Sequence, residues 1–156
     1  MNPIEHLLEE HRDIMAQVAD LRTAVNDLAA RGEAALPEAL PVLQRIAQLT
    51  ETQLARHARK EDEALFPALE TVIGLGNGPL GVMRVEHDDI HAQAALLRSL
   101  LLSGSEAASF RACAEELIAL LDMHFEKEEQ ILFPMIEQML DADALAEVGR
   151  KFEAVP

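Results

Sequence analysis

Two stretches of the chain, residues 57–67 and 124–134, have closely related sequences. They read HARKEDEALFP and HFEKEEQILFP, and they share a histidine, a lysine, a glutamate and a closing LFP at identical offsets. Shorter matching segments precede them, EHRDI at residues 10–14 and EHDDI at residues 86–90. Repetition of this kind favours a fold made of two similar halves, each of them a helical hairpin.

Apolar residues recur every three or four positions along four long stretches, which is the spacing of helices with one buried face. Proline suits the first turn of a helix, and Gly32 suits its end. The expected helices run from Pro3 to near Gly32, from about Pro37 to Pro67 or soon after, from Pro79 to Ser103, and from a cap at Ser105 to Pro134. Pro134 is expected to kink or end the fourth helix unless neighbouring groups replace the lost hydrogen bond. A short helix from about Asp141 to Lys151 is expected to follow.

The length and composition agree with a helical fold. The chain has 156 residues, enough for one domain, and an apolar content of 49% with no Trp and no Tyr. Short connections between helices of similar length favour antiparallel neighbours. The sequence therefore predicts one all-α domain over residues 1–156. An antiparallel up-down-up-down four-helix bundle would occupy about residues 3–140, with a short C-terminal helix in an extension at 141–156.

The charge excludes several kinds of partner. A formal net charge of -15 would repel nucleic acid and anionic membrane surfaces, so neither is expected to bind. No apolar stretch approaches the length that spans a bilayer. The lone cysteine, Cys113, cannot form an internal disulfide, and the N-terminus is charged where a signal peptide needs an apolar run. A cytoplasmic protein is the expectation.

The histidines of the repeated segments are expected to meet at one depth of the bundle. His11 and His87 each lie eight residues after a proline that starts a helix, about 12 Å from the same end of the bundle. His57 and His124 each lie ten residues before a proline, about 15 Å from the exits of helices that run the opposite way. All four imidazoles should therefore lie in a single layer.

Further donors share the helix faces of these histidines. His57 and Glu61, His87 and His91, and His124 and Glu128 are each four residues apart, so each pair projects from one face. A carboxylate on an inner face costs several kcal/mol unless it is paired or bound to a metal, and no Lys or Arg shares these stripes. The prediction is a buried metal site with seven ligands: His11, His57, Glu61, His87, His91, His124 and Glu128.

The types of ligand narrow the choice of metal. Imidazole and carboxylate without thiolate suit iron, manganese or zinc, and two acidic ligands among seven favour a bridged pair of ions. If both glutamates bridge and an oxo or hydroxo group is shared, about eleven of the roughly twelve positions of two octahedra are filled. His87, His91 and His124 would saturate one ion. Met15 stands in the first half where His91 stands in the second, so the open position is expected on the His11 side.

The order of these ligands resembles the hemerythrin-like domain with its HHE cation-binding motifs. His11 is followed by HxxxE at 57–61, HxxxH at 87–91 and HxxxE at 124–128, and the resemblance covers residues 3 to about 140. It implies an oxo- or hydroxo-bridged centre of two Fe ions, bridged by both glutamates, with O2 binding at the five-coordinate iron. The spacing of four in the last motif is similar to that of bacterial members. The marine oxygen carriers have an aspartate five residues on, so oxygen transport need not carry over.

Two classes of function fit these features. The first is a protein that binds O2 or NO reversibly for storage, delivery or sensing. The lack of Tyr, Trp and further acids or bases on the inner faces favours it over an enzyme, although the sequence leaves enzyme status open. The alternative is a di-iron enzyme or stress protein that removes peroxide or NO or repairs iron clusters. No glutamate stands three residues before any of the six histidines, so the sequence contains no ExxH motif. This absence argues against an oxygenase.

Four other residues near the motifs are expected to be structural. Lys60 and Lys127 should lie on the surface, as should His6, unless it caps a helix. Cys113 should be a small buried apolar residue.

Overall fold

Four long helical stretches make up most of the structure, a computed structural model that describes residues 2–74 and 78–156. The first stretch is α1, Pro3–Arg31, followed by a 3-10 turn at Gly32–Ala35. The second consists of α2 (Leu36–Glu51), α3 (Gln53–Lys60), a π-helical turn (Glu61–Leu65) and α4 (Phe66–Ile73). The third is α5, Gly78–Ser103. The fourth consists of α6 (Ala107–Lys127), a second π-helical turn (Glu128–Leu132) and α7 (Phe133–Met139), and α8 (Ala142–Ala154) follows.

The four stretches pack as the sequence predicts. α1 lies against α2 and α6, and α5 lies against α6 and α2, so each stretch contacts its neighbours along the chain and the bundle closes between first and last. This arrangement is the antiparallel up-down-up-down bundle. The short C-terminal helix is confirmed as α8, which packs against α1 and the first π turn.

Several helix ends follow local signals in the sequence. The Asn2 Oδ1 atom accepts a hydrogen bond from the Ile4 amide at 2.8 Å, and Gly32 ends α1 with a φ of 58°. That φ favours glycine because it lies in the left-handed region. Asp141 caps α8 by accepting from the Ala144 amide at 2.8 Å.

The predicted cap at Ser105 is wrong. Glu106 occupies the N-cap position of α6 with an extended backbone, and its side chain makes no capping hydrogen bond. The free amide of Ala107 instead donates to Glu33 Oε1 at 2.7 Å, and Glu33 belongs to the 3-10 turn after α1. The cap is therefore supplied from a distant part of the chain, which local sequence does not reveal.

Both LFP segments continue through their prolines as helix. Pro67 and Pro134 have no amide hydrogen, and a proline ring would clash with the carbonyl four residues earlier in a regular α-helix. The chain widens into a π turn just before each proline, and the Phe66 and Phe133 amides donate five residues back, to the Glu61 and Glu128 carbonyls. The stretches then run on to Ile73 and Met139. Each π turn thus begins at a glutamate that the sequence predicts as a ligand.

Two apolar clusters lie on either side of the layer that holds the predicted ligands. On α1, Leu7 belongs to one cluster and Ile14 to the other, with His11 between them. The Val148 and Phe152 side chains of α8 complete the cluster around Leu7. Among residues 2–74 and 78–156, no helix is both long enough and apolar enough to cross a membrane.

Candidate metal centre

Six of the seven predicted ligands converge in one buried layer of the bundle. Each is at most 5% exposed, and both carboxylates are fully buried. One comes from α1, one from α3, one from α5, one from α6, and one from the start of each π turn. These six are His11, His57, Glu61, His87, His124 and Glu128.

The four imidazoles form two facing pairs. The Nε2 atoms of His11 and His57 lie 3.1 Å apart. The Nε2 atoms of His87 and His124 also lie 3.1 Å apart. Because these contacts join α1 to α3 and α5 to α6, each half of the repeat contributes one pair.

Each glutamate joins the two pairs. The Glu61 Oε1 atom lies 3.2 Å from His57 Nε2 and 3.3 Å from His87 Nε2. One carboxylate oxygen therefore reaches an imidazole from each half of the repeat.

Glu128 makes the corresponding contacts in the second half. Its Oε1 atom lies 3.2 Å from His11 Nε2 and 3.3 Å from His124 Nε2. The two carboxylates and the two imidazole pairs together form a closed arrangement in which every carboxylate lies between the pairs.

The outer nitrogen of every gathered imidazole is held by a further carboxylate. His57 Nδ1 donates to Glu10 Oε1 at 3.1 Å, and His124 Nδ1 donates to Glu86 Oε1 at 3.0 Å. Glu10 and Glu86 occupy the same place in the two EHxDI segments, directly before a histidine that is predicted to be a ligand. Sequence reasoning overlooked both residues, although their repetition was a signal.

The remaining two imidazoles have the same support. His11 Nδ1 donates to Glu129 Oε2 at 3.0 Å, and His87 Nδ1 donates to Asp62 Oδ1 at 3.0 Å. Asp62 and Glu129 each directly follow a glutamate that is predicted to be a ligand, again at matching repeat positions. Such carboxylates fix the proton on Nδ1 and turn the Nε2 lone pair toward the centre.

This geometry calls for positive charge between the pairs. Two imidazoles that both carry their proton on Nδ1 present facing lone pairs, which repel at 3.1 Å. Among the described residues, neither Glu61 nor Glu128 receives a hydrogen bond on either carboxylate oxygen. Buried carboxylates without donors are costly unless a cation or a proton compensates them.

The donor atoms divide into two groups that could each hold a metal ion. The first consists of Glu61, His87, His124 and Glu128, and the second of His11, His57 and Glu128. Within each group the ligand atoms lie within 4.8 Å of one another. Imidazole and carboxylate without thiolate suit iron, manganese or zinc, and the residues therefore fit a cation centre with Glu128 shared between two positions.

The raised pKa values of two imidazoles and one carboxyl group indicate that, without a metal ion, protons supply the positive charge between the pairs. Burial opposes the charged form of His57, but the Glu61 carboxylate outweighs it and raises the His57 pKa to about 9. Burial likewise opposes the charge on His87, and its hydrogen bonds to Asp62 and Glu61 raise its pKa to about 9. Burial and the charge of Glu61 raise the pKa of Glu128. A metal ion must displace these protons in order to bind.

Lys60 and Lys127 extend the network to the edge of the bundle. Lys60 Nζ donates to Glu10 Oε2 at 2.7 Å and lies 2.8 Å from His6 Nε2, and its side chain is only 4% exposed. The predicted surface position of Lys60 is wrong, because α8 packs over this end of α1 and the first π turn. Lys127, which donates to Glu86, is 39% exposed and so lies at the surface as predicted. Buried Cys113 also matches its prediction.

His91, the seventh predicted ligand, lies outside both groups. His91 is exposed on α5, and within the described part of the chain it makes no hydrogen bond to a carboxylate. It does line a small void that also touches His57, His87 and His124. The structure therefore places His91 beside the candidate metal centre but outside both groups of donors. Its assignment as a metal ligand stays a prediction.

Comparison with known proteins agrees with this geometry. No curated protein matches the chain. The family model of the Hemerythrin HHE cation binding domain matches residues 2–136, which include every gathered donor and all four supporting carboxylates. The chain belongs to the hemerythrin HHE cation-binding domain family.

Proposed function

We propose that this protein holds a non-haem di-iron centre and binds O2, or NO, reversibly at an open metal position, for oxygen binding, storage or sensing. One observation carries the proposal. Glu61 and Glu128 are fully buried, and each lies within 3.3 Å of one imidazole from each half of the repeat. Two carboxylates placed in this way suit bridges between two cations.

Each half of the repeat would hold one metal ion. His11 and His57 would hold one ion, His87 and His124 the other, and Glu61 and Glu128 would bridge them. Iron at these positions would supply reversible electron transfer to a small ligand. The role predicted for His91 as a seventh ligand requires its side chain to turn inward from the exposed position that it has on α5.

The surroundings of the centre favour binding over catalysis. Phe125 stacks on His11, with ring centroids 3.8 Å apart, and apolar clusters lie on both sides of the layer. The supporting carboxylates are all engaged with ligand imidazoles, so they orient the ligands and do not face a substrate. A cytoplasmic location and the lack of a nucleic-acid or membrane partner belong to the same proposal.

Exposure of the iron-loaded ferrous protein to O2 tests this function. We expect a visible charge-transfer band to develop in air and to fade on deoxygenation through several cycles. Rapid and irreversible oxidation without a reversible phase would contradict reversible binding. It would favour the alternative, a di-iron enzyme or stress protein that acts on peroxide or NO or repairs iron clusters, and stopped-flow mixing with peroxide would then separate those activities.

A further inference from the structure

One edge of the first half is covered by α8. This helix packs against α1 and the first π turn. Its Val148 and Phe152 side chains are buried, and Ala64 of the π turn belongs to the same apolar cluster. Under this cover the Lys60 side chain is only 4% exposed. The first half therefore shows which kind of element this edge accepts, an amphipathic helix that lies across it.

The corresponding edge of the second half is open. Lys127, which corresponds to Lys60, lies at the surface. Ile131 of the second π turn is 58% exposed, whereas Ala64, at the same place in the first half, is 2% exposed. A shallow groove of about 250 Å³ follows this edge, and it is lined by Met123, Glu126, Lys127, Gln130 and Ile131. The repeat thus provides a second seat that α8 does not occupy.

The edge of the second half is also more apolar than its counterpart. Four of its apolar residues correspond to other residues of the first half: Val82 to His6, Val85 to Glu9, Met123 to Arg56 and Ile131 to Ala64. We call these four side chains the apolar patch, and they are between 46% and 59% exposed. They project from α5, from α6 and from the second π turn, and α5 and α6 pack against each other. Exposed apolar groups that lie together mark a surface for binding.

The charges around the apolar patch favour a basic partner. In the first half Arg59 donates to the Pro156 carbonyl, beyond the end of α8, at 2.6 Å. Glu126 stands at the place of Arg59 in the second half, and Asp89 lies one turn after Val85 on α5. Both carboxylates are exposed, and within residues 2–74 and 78–156 neither forms an ion pair. A second copy of this chain, with its own net charge of -15, would be repelled, whereas lysine and arginine side chains would be attracted.

We propose that the apolar patch docks an amphipathic helix of a partner protein, with apolar residues three and four positions apart and lysine or arginine beside them. The helix would lie across α5 and the second π turn as α8 lies across α1 and the first. The required spacing is that of α8, in which Val148 and Phe152 are four residues apart and Leu145 packs three residues before Val148. Apolar anchors at such intervals are how a helix binds in the groove of another protein. This surface goes beyond the proposed function and does not depend on which metal the protein holds.

Titration with a synthetic helix tests the docking surface. The probe is a fluorescently labelled peptide with leucines three and four positions apart on one face and lysines on the other. Its binding to the iron-loaded protein is followed by fluorescence anisotropy, and we expect saturable binding of one peptide per chain. A peptide of the same composition in scrambled order has the same charge but no apolar face, and it should bind at least about tenfold more weakly.

Two substitutions give the second half the residues of the first. Met123→Arg and Ile131→Ala should each raise the dissociation constant of the probe about tenfold, because each removes an apolar side chain from the patch. Leu102→Ala, at the other end of α5, is the matched control, and it should leave the affinity unchanged although it also removes an exposed apolar side chain. All three side chains are exposed, so the variants should unfold at the Tm of the wild type.

Three results would overturn the proposal. The first is that the probe does not bind at all. The second is equal affinity for the two peptides, or an affinity that neither Met123→Arg nor Ile131→Ala changes, because charge alone would then attract the probe. The third is sedimentation of the wild-type protein as a dimer that Ile131→Ala dissociates, which would assign the apolar patch to contacts between copies of this chain.

Discussion

The two halves of the bundle, residues 3–73 and 78–139, hold their donors in the same way but surround them differently. In both, the histidine pair, the glutamate, the two supporting carboxylates and the lysine occupy matching repeat positions, and the corresponding distances agree within 0.1 Å for the contacts at Nε2 and Nδ1. The packing beside the donors differs, because Phe125 stacks on His11 whereas the corresponding residue of the first half is Ala58. The comparison indicates that the arrangement of the donors is repeated in the two halves, whereas the packing beside them is not.

The halves differ in their covering as well. In the first half α8 packs over the Lys60 end of the network, and in the second half Lys127 remains exposed. The same ion pair with a glutamate is thus buried once and solvated once.

The largest effect is expected from the two glutamates that we propose as bridges, and it should be equal in the two halves. Glu61→Ala and Glu128→Ala each remove a carboxylate that reaches both imidazole pairs. We expect both variants to lose most of their metal and, once iron loading is attempted, to lack the stabilisation that bound metal provides. Elemental analysis and thermal unfolding measure this. Full iron occupancy in either variant would show that its carboxylate does not bridge.

The supporting carboxylates should have smaller effects, again alike in both halves. Glu10→Gln and Glu86→Gln leave His57 and His124 without their carboxylate partner. Loss of such a partner costs about 10- to 100-fold in metal affinity. Competition with a chelator measures the affinity, and Glu9→Gln, at an exposed position next to Glu10, is the control. A tenfold or greater difference between the two variants would break the symmetry that we infer.

Substitution of the two corresponding lysines should lower the free energy of unfolding by different amounts in the two halves. Lys60→Met breaks an ion pair whose lysine is 4% and whose glutamate is 24% exposed, and we expect the free energy of unfolding to fall by about 2 kcal/mol. Lys127→Met breaks the corresponding pair where the lysine is 39% exposed, and the expected loss is below about 1 kcal/mol. Urea unfolding of the metal-free protein measures both. Equal losses would mean that α8 does not change the environment of Lys60.

The smallest effect is a dependence on pH that metal should remove. The pKa values of His57 and His87 are raised from 6.5 to about 9, so their contribution to the stability of the metal-free protein is complete below pH 6.5 and is lost as the pH rises through about 9. Bound cations replace these protons. The difference in Tm between loaded and metal-free protein should therefore widen from pH 6.5 to 9. A difference that narrows over this range would contradict the assigned proton positions.

Much of the bundle and most of the donor set could be predicted from sequence because both depend on regular spacing. Apolar periodicity located the four stretches, and equal distances from prolines placed His11 and His87 at one depth. Local signals also predicted the start of α1 at Pro3 and its end at Gly32. Features that repeat along one helix, or at matching positions of two helices, are visible in the sequence before folding.

Features that depend on contacts between distant elements could not be predicted in the same way. The Glu33 cap on α6 and the burial of Lys60 each require a partner far along the chain. His91 shares a helix face with His87 by spacing, but it is exposed on α5, and its assignment as a ligand stays a prediction. The stacking of Phe125 on His11 likewise joins residues from different helices and depends on the folded structure.

The iron content of the wild-type protein tests the central claim most directly. After anaerobic loading with ferrous iron and removal of unbound metal, elemental analysis should give about two iron ions per chain, because each of two buried carboxylates lies beside one imidazole of both pairs and is proposed to bridge two ions. A protein that retains no iron, or about one ion per chain at saturating iron, would contradict the paired centre on which this account rests.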